Sequence, residues 1–154
     1  MTTPAPFTSI VVGVDATLHD RPIVEWISNY AAKHHNHVIA AHVVARTTLW
    51  LIAGAQADST RYLETIRDQL ERHVIAPLRA NGISAELRLA LGDPAQQLAD
   101  IAVRSHAELL VLGGPEHSAL HDVVLGGIIR RLEHRSDIPV VVVPRCGSRI
   151  HART

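Results

Sequence analysis

A chain in which apolar runs of strand length alternate with segments of helical period has few folds open to it, and this sequence alternates from end to end. Apolar runs of strand length fall at 9–15, 37–44, 84–91, 108–112 and 138–143. Between them the apolar residues recur every three or four positions, so each strand leads through a helix to a parallel neighbour. The expectation is one α/β domain, doubly wound, over residues 9–144. The first run, SIVVGVD, is apolar at successive positions and therefore suits a central strand covered by helices on both faces. The third, SAELRLAL, alternates apolar with polar or small residues and suits a half-covered edge.

Four helices are expected. Asp20 stands where it can cap the first, over 20–35, with Pro22 in the opening turn and Ile23, Ile27, Tyr30 and Ala31 as the buried stripe. Leu63, Ile66, Leu70, Val74 and Leu78 mark the second, over 57–81, which Pro77 kinks and Asn81-Gly82 stops. Gly92-Asp93-Pro94 turns the chain and caps the third, and Leu125, Ile128, Ile129 and Leu132 give the stripe of the fourth. RTTLWLIAGAQ, after the second strand, reads as a loop in which Leu49, Trp50, Leu51 and Ile52 cover the core, with a partner surface or pocket lid as the alternative. Residues 1–8 read as an N-terminal tail, and 145–154 as a basic C-terminal tail carrying Arg145, Arg149, His151 and Arg153.

Composition removes several classes of function. Fifteen basic residues balance fifteen acidic ones, so no overall field attracts nucleic acid or an anionic membrane. No apolar run approaches the ~20 residues of a membrane span, and the N-terminus lacks the charged and apolar regions of an export signal. A single cysteine, Cys146, forbids an intramolecular disulfide and fits a cytoplasmic location. The eleven histidines include a group at His34, His35 and His37 and a pair at His117 and His121, but no established metal-ligand spacing. They read as solvated or helix-end residues. There is no G-x-x-x-x-G-K-[ST], no G-x-G-x-x-G after the first strand and no G-x-S-x-G elbow, so the chain is not expected to be an enzyme, a slow ATPase being the weaker alternative.

Ligands of doubly wound sheets sit at the carboxyl ends of the strands, where strand order reverses. The segments found there are VGVDATL, LGDPAQQL and VLGGPEHSALHDVVLGG, and the chain closes with DIPVVVVP. In this order and at these spacings they resemble the universal stress protein family over residues 10–144. The resemblance implies a Rossmann-like, five-stranded parallel sheet in the order 3-2-1-4-5 with four helices. It also implies a homodimer paired through strand five and, for many members, an ATP site with a loop patterned G-x2-G-x9-G-[S/T].

The loop pattern makes physical sense. Glycines let backbone N–H groups close around phosphate oxygens, a hydroxyl donates once more, and a helix N-terminus faces the anion. Here the first and third glycines are Gly113 and Gly126, but Glu116 takes the second position, Gly127 the hydroxyl position, and Ile129 that of a common further serine. Pro115 also removes one N–H. A carboxylate ~4 Å from a phosphate charge at an effective dielectric of ~20 costs about 4 kcal/mol, several hundred to a thousandfold in affinity. Each missing neutral hydrogen bond costs only about 0.5–1.5 kcal/mol, so Glu116 dominates if it faces the ligand. His117, His121, Arg130 and Arg131 are near enough in sequence to offset it.

The nucleoside half is better kept. Asp15 matches the family's aspartate beside the nucleotide, and Val43 or Val44 the apolar residue beside the base. Ala16 stands at a usual glycine and Thr17 at a common serine. Asp15 equally suits a strand-end turn, and Gly113 and Gly126 suit turns and close helix packing. Two functional readings follow. One is a dimeric regulatory or interaction protein of the stress response, with a degenerate phosphate loop, ATP binding lost or weakened, and a protein partner. The other is a switch that binds an adenine nucleotide (ATP, AMP or cyclic AMP) in the remaining pocket.

Overall fold

The computed structural model describes residues 8–16, 20–56, 58–114 and 119–144, with the backbone alone for 119–125. Five parallel strands form one sheet in the order β3-β2-β1-β4-β5, as expected. They are β1 Ser9–Gly13, β2 His37–Val44, β3 Ala85–Leu91, β4 Ala107–Gly113 and β5 Val140–Val143. The fifth is shorter than its apolar run because Pro139 has no N–H for the ladder, although its carbonyl still accepts from the Leu110 amide at 3.0 Å.

Alternation along the strands builds a core on each face. Ile10, Val12, Val38, Ala40 and Val111 point into one, beneath α1 (Arg21–His34) and α3 (residues 59–80); Val11, Ile39, Ala41, Leu110 and Leu112 point into the other, beneath α4 (Pro94–Arg104) and α5 (Ala119–Glu133). Helix α3 joins an α-helix Ser59–Leu70, a π-helical turn Glu71–Ile75 and an α-helix Ala76–Ala80. Pro77 is the reason for the wide turn: in a regular helix its ring would strike the carbonyl four residues back. With the Ala76 amide bonded to the Glu71 carbonyl, the turn opens, and Val74 and Ile75 are both buried.

Three expectations are corrected. The segment after β2 is a helix, α2 Arg46–Gly54, which raises the count among the described residues to five. It does not act as core cover: Trp50 and Leu51 are 80% and 75% exposed, and only Leu49 packs against the core cluster. A nine-residue helix presents apolar residues all round, and the sheet can accept only one of its sides. Third, Asp20 holds the N-cap position of α1 without a capping bond to the helix; its φ of −78° and ψ of −6° are already helical, whereas a capping residue is typically extended.

At the amino end of the sheet, Asn36 is buried at 4% and donates through Nδ2 to the Thr8 carbonyl (3.2 Å), Thr8 Oγ1 (2.6 Å) and Glu108 Oε1 (2.8 Å). Glu108 is the extra residue where the β1–β4 register shifts, and that bulge presents its carboxylate to the amide.

Candidate functional site

The order 3-2-1-4-5 reverses between β1 and β4, and it is at the carboxyl ends of such a switch point that doubly wound sheets have their ligand crevice. Gly13 lies level with Ala41 on one side and Leu112 on the other. Continued two residues, that register sets Asp15 level with Val43 of β2 and with Gly114 just beyond β4. Three sequence candidates (Asp15, Val43 and Gly113) thus meet at the ends of adjacent strands. Val43 and Val44 point to opposite faces: Val44 is buried in the α1–α3 core, while Val43 is half-buried on the α4–α5 face. Only Val43 combines the strand-end position with a side chain that is not consumed by the core.

Close approach of two chain segments shapes the far wall. The Gly114 amide donates to the Val143 carbonyl at 2.6 Å, and a Cβ at this glycine would lie 3.1 Å from that oxygen and 3.2 Å from Pro144 Cα. A side chain here would push β5 from β4. Ala16, in the family's glycine position, has φ +64°, so the turn keeps the left-handed backbone that glycine favours.

Gly126 and Gly127 do not open the helix as their position in the sequence implied. They are the eighth and ninth residues of the fifteen in α5. Amides in a helix interior already donate to carbonyls four residues back, and only the first turn has free N–H groups for an anion. Added Cβ atoms at either glycine would meet nothing within 4 Å, so close packing does not require them. The packed half of α5 begins just after them, with Ile128 and Ile129 half-buried and Leu132 at 1% exposure. Glu116, Pro115 and His117 lie outside the described residues.

Two features at this end were not anticipated. His42 Nδ1 lies 2.7 Å from the Val14 carbonyl; a carbonyl only accepts, so Nδ1 carries the proton and the ring ties β2 to the turn that presents Asp15. The one polar residue within the apolar stretch VIAAHVV was the available signal. After β3, Asp93 caps α4 as expected, Oδ1 accepting from the Gln96 amide at 3.0 Å; the unanticipated part is that Oδ2 meets Arg131 Nη1 of α5 at 2.6 Å. The Gln96 bond holds the Asp93 carboxyl below its ordinary pKa, opposed by partial desolvation and supported by Arg131 and Arg135. Among the described residues no three His, Cys, Asp or Glu side chains converge as a metal site.

Sheet order and helix placement define a doubly wound α/β domain with one switch point, between β1 and β4. The sequence profile of the Universal stress protein family matches residues 6–144, and the chain belongs to that family. A universal stress protein of Mycolicibacterium smegmatis is 26% identical over 146 residues, which cover 87% of this chain and 47% of that one. The stress response protein NhaX of Bacillus subtilis is 35% identical over 52 residues, 34% of this chain and 31% of that protein. The chain therefore spans less than half the length of either curated relative. Similar solved structures include a universal stress protein in complex with cAMP (TM-score 0.62, 23% identity, 92% of this chain and 100% of that one). Another is the universal stress protein from Archaeoglobus fulgidus in complex with dAMP (TM-score 0.64, 18% identity, 90% of this chain and 99% of that one). No helix of the described residues is long and apolar enough to cross a membrane.

Proposed function

We propose that the chain is a regulatory or interaction protein of the stress response, acting as a cytoplasmic homodimer, whose grip on a triphosphate is lost or much reduced. The observation that carries this reading is the position of Gly126 and Gly127 in the body of α5, where their amides are committed to the helix. Glu116 at the second glycine position adds a charge of the wrong sign. The dimer reading is supported by β5, a four-residue strand at the sheet edge with Val142 39% exposed. Sedimentation as a monomer at micromolar concentration would refute that part.

A second reading has its own support. Asp15 and Val43 keep the strand-end positions of a nucleoside pocket, and two relatives were solved with cAMP and dAMP. In this reading an adenine nucleotide with one phosphate occupies the cleft and changes partner binding. Calorimetric titration with ATP and Mg²⁺, AMP and cyclic AMP, beside a Glu116→Gly, Gly127→Ser variant, separates the two. Silence of the parent to all three supports the first reading; a variant that is also silent to ATP assigns the loss to the helical position of the glycines, and a variant that binds ATP assigns it to Glu116 instead. Micromolar AMP or cyclic AMP binding by the parent supports the second, and micromolar ATP binding by the parent overturns the first.

A further inference from the structure

On the face away from Val43, a groove of about 520 Å³ runs between α1 and α3, and no candidate of the strand-end cleft lines it. We propose that this groove is a second binding site, for small phosphate monoesters.

Its charge distribution carries the proposal. Arg72 and His73 line the groove from the π-helical turn, and neither makes a salt bridge or side-chain hydrogen bond among the described residues. The other charges nearby are engaged or withdrawn. Arg21 Nε donates to Glu25 Oε1 at 3.0 Å, Arg79 lies 3.8 Å from Glu71, and Asp20 is only 2% exposed. An anion entering the groove therefore meets an uncommitted guanidinium beside an imidazole. On the opposite bank Asn29 supplies an exposed amide, and from the end of α3 Asn81 Nδ2 donates across to Ser28 Oγ at 3.4 Å.

Donor number and size then select the ligand class. A guanidinium fork satisfies two oxygens of a phosphate, and the imidazole and amides that line the same groove are the donors available to the third. A carboxylate would be saturated by Arg72 alone. The volume falls in the ~300–1,000 Å³ range of small-molecule sites and far exceeds a bare phosphate ion, leaving room for an organic moiety against Val24 and Pro77.

The test is an amide NMR titration of the full chain at constant ionic strength with glycerol phosphate, inorganic phosphate and acetate. The expected result is saturable shifts at Ser28, Asn29, Arg72 and His73, tightest for glycerol phosphate and absent for acetate. Arg72→Gln, checked for an unchanged fold by circular dichroism, should weaken binding at least about tenfold, since the guanidinium's charge-assisted bonds to the phosphate are lost. Asp15→Ala, which alters the strand-end cleft, should leave these shifts in place. The proposal is overturned if no residue shifts, if acetate acts as phosphate does, if Arg72→Gln binds equally well, or if the shifts map to Val43 and Gly114 instead.

Discussion

Replacing Asp93 tests how the turn after β3 is held, because one carboxylate makes two bonds of different kinds. Oδ1 caps α4 and Oδ2 meets Arg131 of α5. An N-cap truncated to alanine costs about 1 kcal/mol. The ion pair contributes only about 0.5 kcal/mol, since its side chains are 49% and 36% exposed and water screens them. Asp93→Ala should therefore lose about 1.5 kcal/mol and about 3–6 °C in Tm. Asp93→Asn keeps a capping oxygen and should lose only about 0.5 kcal/mol, a deficit that Arg131→Met in the same chain should largely abolish. The pH dependence has a definite sign. The Gln96 bond, with Arg131, lowers the folded-state pKa of Asp93. Its charge-linked stability is thus complete above the unfolded-state value of about 3.9 and disappears as pH falls through the lowered folded value. Urea unfolding of parent and Asp93→Asn at stepped pH should show two curves that converge in acid. A gap that stays constant to about pH 2, or an asparagine variant as damaged as the alanine one, would refute this account.

Other substitutions read other parts of the fold. Gly114→Ala should cost about 1–3 kcal/mol, because its Cβ would press on Val143 O and Pro144 Cα; hydrogen exchange at β5 amides should accelerate before that of β1. Ala16→Gly should leave stability unchanged or raise it by up to about 1 kcal/mol as left-handed strain is relieved against greater unfolded-state freedom, whereas Ala16→Val should destabilise by chemical denaturation. Asn36→Ala removes both N–H donors that bind Thr8 and Glu108 at a buried site and should lose about 2 kcal/mol in the same assay. Trp50→Ser should change stability by less than about 0.5 kcal/mol, and the parent's Trp50 emission should be readily quenched by acrylamide.

The strands and their order were legible because each apolar run has strand length and the resemblance supplied the crossing pattern, which periodicity cannot encode. Helix α2 was not legible: LWLI is apolar without period, and such a run reads as buried whether or not a surface is there to receive it. Asp15 and Val43 were found at their strand ends because position after a strand is a topological property. The part played by Gly114 was missed, since a close backbone contact with Val143 joins segments 29 positions apart and leaves no local mark. Gly126 and Gly127 were misread for the opposite reason: a glycine pair is a strong local sign of a loop, and here the surrounding helix overrode it.

The pairing of β1 with β4 also sets an order of events during synthesis. Val11 is hydrogen-bonded in register with Leu110, 99 positions later in the chain. Once β3 has emerged and while a ribosome is still producing α4, the first three strands can assemble, but β1 is then an outer strand, with Val11 and Val12 bordering an unfilled edge. Contacts of such long sequence separation close slowly, and an open apolar edge is what chaperones and neighbouring nascent chains recognise. The central strand of the finished sheet is thus the exposed strand of the growing one, and the hazard ends only when β4 emerges to cover it.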